Sequence, residues 1–442
     1  MSFYSLILVW SLSIQVIGAY TIWFSRTNII THFATGFIVI SYVIPGLFTK
    51  YYVGFSEDIL DLYVWTSFVG GISFLIGLQA SRFYSVRKTW LVKRIDAFKT
   101  EAFKRNASKQ LKILLVVAIG ALVLGYTIMG FVPMFAADPL SAKQFKGEYR
   151  DSYLKAAWIF RTGFMIAVFV MPIAAVYSFV SKKRWFLVAS VILGFLILVS
   201  LAKGAAAVWL IIAVGVIAIR KKRWFILYLL FVIGVNLAGS IFNYLLSLLT
   251  GLQTYTVSDS SYGFPDLVAA GAPDMVDQLS LLQAFISHGS PWTYGRTFLG
   301  GLVPFSYQWN PSVWTLDQLN DGADVTEIVS GGLRLPVSLW GYVSFGWLGV
   351  VALPALSGFI HGCFMRIAKT IISATDDPFV LALITVILSN LLIPLSAFYA
   401  WSLYLFPALF ISIFLLQRRR LVLMPGRYLS RLASPAVHDG PT

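Results

Sequence analysis

Residues Ser81–Lys112 read SRFYSVRKTWLVKRIDAFKTEAFKRNASKQLK. Ten cations, Arg82 to Lys112, stand in this stretch against Asp96 and Glu101. On both sides the chain turns apolar for about the 20 residues that a helix needs to cross a bilayer. A basic block between two apolar runs is the mark of a cytoplasmic loop between transmembrane helices. The rest of the composition agrees. Of 442 residues, 58% are hydrophobic and 12% are charged, and the mean hydropathy is +0.79. Soluble domains carry about 25% charged residues. A membrane barrel needs alternating segments of about ten residues, and the chain shows none.

Working outward from the block, the pattern predicts an all-α, polytopic helical membrane protein. It has about 11 transmembrane helices (10–12) in a single integral domain over 1–442. The expected spans are 4–24, 29–48, 59–80, 113–132, 156–180, 185–201, 205–219, 224–249, 339–364, 379–397 and 401–416. Placing 81–112 in the cytoplasm puts 182–184, 220–223, 366–369 and 418–420 there too, and each is basic. The tail 421–442 follows on the same side. The alternation leaves the N-terminus, the loop 133–155, Lys203 and the long interval 250–336 outside. A net charge of +15 raises nucleic acid as a partner, but its placement in blocks between apolar runs excludes that. The apolar start lacks a basic leader and reads as a retained span.

The interval 250–336 is the one long polar stretch. It holds eight acids, and its only strong cations are Arg296 and Arg334. It is rich in aromatics, including Trp292, Tyr294, Trp309 and Trp314. Long loops inside compact proteins are functional or disordered, and so many rings argue for order. The expectation is a cap over a site shared with the bundle. Within it, Met275, Leu279, Leu282 and Ile286 recur at helical spacing between Pro273 and Gly289, which predicts a helix over Asp274–Ser287. A second amphipathic stretch, Trp90–Ala102, suits a helix on the inner leaflet, or else a solvated loop.

Signatures of soluble enzymes are absent. There is no phosphate-binding glycine loop and no HExxH. Four histidines are scattered and Cys363 is alone, so no metal or other cofactor is expected. What remains is a set of cations on the outer side: Arg150, in LSAKQFKGEYRDSYLK, then Arg161, Lys203, Arg296 and Arg334. Charge inside a span is costly and faces a cavity or a partner. Together these cations point to an anionic ligand at the outer leaflet, such as a lipid diphosphate. Each has a blander reading. Arg161 snorkels, Lys203 solvates a turn, Arg334 pairs with Glu327 and Arg296 with a loop aspartate. The rings Trp292, Tyr294, Trp309 and Trp314 are candidate sugar platforms, or else interfacial belt and core. Candidate general bases are Glu148, Asp151, His288 and Glu327, since base catalysis needs a titratable group in reach of the attacking hydroxyl.

The arrangement from about Leu111 to Leu416 resembles the O-antigen polymerase (oligosaccharide repeat unit polymerase) family. The likeness rests on basic-anchored spans before a large outer loop, and on SLAKGAAAVWL (200–210), YGRTFLGGLVPF (294–305) and SGGLRLPVSLWGYVSFGWLG (330–349). The family commonly has Arg where this chain has Lys203, a departure that removes a bidentate fork at that position. The resemblance implies a metal-independent, inverting membrane glycosyltransferase of the GT-C type. Its donor and acceptor are undecaprenyl-diphosphate-linked glycans, in the bacterial inner membrane, with a chain-length regulator and a flippase as possible partners. Fixed cations then stabilise the departing diphosphate. An O-antigen ligase and a flippase of lipid-linked glycans are the rival readings. A flippase predicts charges spread across the bilayer and paired broken helices.

Overall fold

The computed structural model describes residues 3–44, 54–84, 98–218, 224–250, 274–300, 307–320, 324, 328, 332–392 and 405–416. Every regular element among them is helical. The α-helices are α1 (Phe3–Ile22), α2 (Ile29–Ile38), α3 (Glu57–Ala80), α4 (Glu101–Met129), α5 (Pro139–Gln144) and α6 (Tyr149–Ser181). They continue with α7 (Arg184–Leu198), α8 (Lys203–Ala218), α9 (Phe225–Thr250), α10 (Asp274–Ser287) and α11 (Arg296–Leu299). The last four are α12 (Pro311–Asn320), α13 (Val337–Ser373), α14 (Pro378–Leu392) and α15 (Leu405–Leu416). Five stretches are long and apolar enough to cross a membrane: 5–22, 57–83, 101–135, 139–181 and 337–373. Their outward faces are apolar as well. Ile113, Val116, Val117, Val123 and Leu124 of α4 and Leu187, Val188, Val191 and Phe195 of α7 are all exposed. Apolar faces of that extent belong in lipid, where each helix satisfies its own backbone.

Two groups of helices make the body. In one, α6 is surrounded by α4, α7, α8 and α14. Its middle, Val170 to Ala174, is buried without exception. Glycines set the α4–α6 distance: a Cβ on Gly163 would meet Ala121, and one on Gly125 would meet Phe160. In the other group α3 packs along α13 and against α1. Here helix backbones touch. A Cβ on Gly77 would overlap the Ala355 carbonyl, and one on Gly358 the Phe74 carbonyl. Small residues permit such approach where no hydrophobic drive separates helix from lipid.

Three expectations need correction. The interval 133–155 is not a loop. Asp138 caps α5 by accepting from the amides of Leu140 (3.0 Å) and Ser141 (3.2 Å), with Pro139 at the first helical position. Then α6 starts at Tyr149, because Tyr149, Tyr153, Ala156 and Phe160 already form one buried stripe. Second, the C-terminal part of the basic block is helix. Thr100 caps α4 at the amide of Phe103, so α4 begins well before its apolar run.

The third correction concerns α13, expected as a single span over 339–364. Its backbone leaves the helical region at Phe345 (φ −145°, ψ 19°) and Gly346 (φ 60°, ψ −145°). A Cβ on Gly341 would overlap the Gly349 carbonyl, and the reverse also holds. An uninterrupted helix would hold those residues about 12 Å apart along its axis. The chain therefore reverses at Phe345–Gly346, and Val337–Ser344 folds back as a short arm against Trp347–Ser373. Ser338 of that arm meets Gly70 of α3. The carbonyls orphaned at the end of the arm are capped from outside it. Thr293 N donates to Val343 O (2.9 Å) and Tyr294 N to Ser344 O (3.1 Å).

At the opposite end, Asp377 caps α14 through the amides of Phe379 (3.0 Å) and Val380 (3.1 Å) and pairs with Lys104 of α4 at 2.7 Å. Burial alone raises this carboxyl, but the Lys104 ammonium and the capped amides outweigh it and hold it below the usual carboxylate range. The resulting stability is present above about pH 4 and is lost as pH falls through the depressed value. Asp377→Ala is expected to cost about 1–2 kcal/mol, chiefly the cap. Thermal melting of the detergent-solubilised variant at pH 7 reads it, and an unchanged melting temperature would contradict the assignment.

Candidate functional site

The polar interval builds a cap on one end of the α1–α3–α13 group. The α10 helix forms over Asp274–Ser287 and buries Met275, Leu279, Leu282 and Phe285. It rests on α3 and α12. Phe285 meets Trp292 (5.8 Å) and Trp314 (6.2 Å), Trp314 meets Trp340 (5.8 Å), and Trp292 meets Tyr342 (5.6 Å). Trp314, expected as a sugar platform, is buried in this aromatic core at 6% exposure. Trp292 and Tyr294 remain exposed at its edge, the latter against Phe345. Trp309 lies half-buried beneath the Arg296 guanidinium at 5.2 Å.

One buried amide ties cap to bundle. Gln278 of α10 is fully buried. Its Oε1 accepts from the Tyr63 hydroxyl of α3 (2.8 Å), and its Nε2 donates to the Tyr42 hydroxyl (3.0 Å) and to the Arg334 carbonyl (2.8 Å). Both ends of the amide are satisfied, as burial requires. The backbone of Arg334 is thereby fixed between cap and bundle, three residues before α13. Its guanidinium stands over the Phe37 ring at 5.4 Å.

The cations fall into connected groups. Lys143 of α5 is half-buried and lies within electrostatic range of Arg334. Lys146 is half-buried and faces charge of both signs, from Arg150 and from Asp324. The α5–α6 turn thus places Lys143 within electrostatic range of Arg334, and Lys146 within range of Arg150 and Asp324. An aromatic stack extends the group along α6. Phe145 stacks on Tyr153 at 3.8 Å, and Tyr153 accepts from the Nε of Arg161, whose guanidinium also stands 5.4 Å from that ring. Phe145 adopts the left-handed region (φ 55°) at the C-terminus of α5, a place where glycine is usual. Arg150 and Arg161, separated by three turns of α6, are about 16 Å apart along its axis.

Other expected residues lie apart. No described contact joins Arg296 to this group. Lys203 opens α8, and the turn before it lies beside the 133–135 turn, where Met134 N donates to Val199 O (2.9 Å). Among the candidate bases, Glu148 and Asp151 are exposed at the start of α6, and His288 is exposed after α10. Glu327 lies outside the described residues. Glu148 and Asp151 are therefore the candidate bases adjoining the cations. Lys143, Lys146 and Gln278 went unpredicted. The two lysines stand in the quoted 140–155 motif, but nothing local marks them as converging on Arg334.

No protein-family model matches the chain, and neither a curated protein nor a solved structure matches it. The site is therefore read from its own chemistry. Two cations, one of them half-buried, lie close enough to disfavour each other's charge. An anion placed between them relieves that repulsion.

Proposed function

We propose that the chain polymerises undecaprenyl-diphosphate-linked oligosaccharide repeat units into a surface polysaccharide. The reaction is inverting glycosyl transfer at the outer leaflet of the bacterial inner membrane. Lys143, Lys146, Arg150 and Arg334 hold diphosphate, with Arg161 further along α6. The acceptor hydroxyl attacks the anomeric carbon of the donor glycan, the glycosyl–oxygen bond breaks, and undecaprenyl diphosphate leaves with the electron pair. Charge grows on the leaving diphosphate, and fixed cations in a site of low dielectric stabilise it. Glu148 is the proposed acceptor of the hydroxyl proton. Exposed Trp292 and Tyr294 are the proposed surfaces for sugar. In this reading the chain has about eleven spans, with 81–112 and the tail 421–442 cytoplasmic and 250–336 outside.

The observation supporting it most is the Gln278 bond that holds Arg334 at the junction of cap and bundle, within electrostatic range of Lys143. The motifs that resemble the polymerase family contribute Arg334 and the folded-back arm that follows it. Reconstitution with lipid-linked repeat units, followed by a sizing gel, tests the reading. A ladder of lengthened glycans is expected. Transfer to lipid A without a ladder would make the chain a ligase, and scrambling across the bilayer with neither would make it a flippase.

A further inference from the structure

A cavity of about 920 Å³ opens at the end of the bundle away from the cap. Its walls come from the C-terminal ends of α1, α3 and α13. Arg82, Arg366 and Lys369 line it together with Thr21, Thr370 and Ser373, and among the described residues no carboxylate does. Two of these cations have a structural duty. Arg82 donates to the Thr21 carbonyl (3.3 Å) and Lys369 to the Ile22 carbonyl (3.2 Å), capping α1 where its last carbonyls lack partners. That duty uses one donor from each. A guanidinium has five N–H donors and an ammonium three, so most of the donors remain. Arg366 has no part in the cap. Three cations and several hydroxyls around one opening, with no acid among the described residues there, make a receptor for a phosphate-bearing anion.

The location decides which anion. Tyr63, near the start of α3, bonds to the cap, and Arg82 lies just beyond the end of the same helix. Those nineteen residues of helical rise span about 28 Å. That is close to the ~30 Å thickness of the hydrocarbon layer. The cavity therefore lies at the membrane–water boundary opposite the cap. Exposed aromatics line it: Phe83 is 93% exposed and Tyr84 is exposed as well, and Phe24, 90% exposed, follows two residues after the lining residue Ile22. Aromatic side chains at the rim belong at the headgroup level of a bilayer.

We propose that this cavity binds the phosphate of an anionic phospholipid headgroup. The inference does not depend on the polymerase reading, since its residues take no part in that site. The test uses full-length protein in detergent, titrated with phosphatidylglycerol or phosphatidylcholine and read by native mass spectrometry. Arg366→Gln and the double variant Arg82→Gln/Arg366→Gln are compared with Lys109→Gln, which removes an exposed cation outside the cavity. The wild-type protein is expected to retain phosphatidylglycerol in preference to phosphatidylcholine. Arg366→Gln should weaken that retention about 10-fold or more, as loss of a charge-assisted contact does. Lys109→Gln should leave it unchanged. Because Arg366 makes no capping contact, its single variant is expected to keep the melting temperature of the parent. Equal losses in the Arg366 and Lys109 variants, or no preference between the lipids, would overturn the proposal. Binding of inorganic phosphate with no retention of either lipid would also overturn it, by making a soluble anion the ligand.

Discussion

Gly341→Ala is expected to destabilise the protein by about 3 kcal/mol, at the upper end of the cost of overpacking. The added carbon would overlap the Gly349 carbonyl, which is backbone and cannot rotate away. Relief requires the folded-back arm Val337–Ser344 to separate from Trp347–Ser373. That movement would break the bonds from Thr293 and Tyr294 to the end of the arm, and would displace Ser338 from Gly70. The buried hydroxyl trio at the base would open with it, in which Thr293 lies 2.9 Å from Thr297 and 3.0 Å from Ser344. Trp340, on the same arm, would lose Trp314. The fair control is Gly120→Ala on α4, where an added Cβ meets nothing within 4 Å. There the substitution removes backbone freedom without a clash and should be neutral or slightly stabilising. Thermal melting and monodisperse yield in detergent read both variants. Equal behaviour of the two glycines would refute the reversal at Phe345–Gly346.

That reversal also marks the limit of what could be read from the amino acids. Hydropathy places an apolar run at 339–364, and an apolar run is compatible with a straight span or a folded-back one. The difference lies in Gly346, whose φ of 60° with ψ of −145° only glycine adopts readily, and in the Gly341–Gly349 contact. SGGLRLPVSLWGYVSFGWLG contains all the glycines involved, but not the pairing between them. By contrast α10 was legible, because its apolar spacing and its flanking Pro273 and Gly289 are local features. The cap was legible as a polar, aromatic interval, yet the sequence did not separate Trp314, which is core, from Trp292 and Tyr294, which are exposed. Ring chemistry is the same in both settings, and only packing distinguishes them. The cations were legible as a set and not as a geometry. Lys143 and Arg334, whose charges act on each other, stand almost two hundred residues apart in the chain.

The grouping makes the arginines unequal, and it predicts their order. Arg334→Ala should slow glycan lengthening by about 100-fold or more, the usual loss when one preorganised electrostatic donor is removed from a transition state. Arg334→Lys keeps the charge but loses the planar fork, and should fall between parent and Ala. Arg296→Ala should do less, since its guanidinium lies on Trp309 with no described link to the other cations. Gln278→Leu separates position from charge. It leaves the guanidinium intact but removes the bond that fixes the Arg334 backbone, and also leaves two tyrosine hydroxyls without their partner. If Arg334 acts on the leaving group, Arg334→Ala lowers kcat while its melting temperature stays near the parent value. Gln278→Leu then lowers stability as well as rate. Single-turnover assays with a lipid-linked repeat unit, alongside melting curves, distinguish the two patterns. A reversed order, with Arg296→Ala crippling and Arg334→Ala harmless, would move the diphosphate site away from Lys143 and Arg334 and into the segment around Trp309.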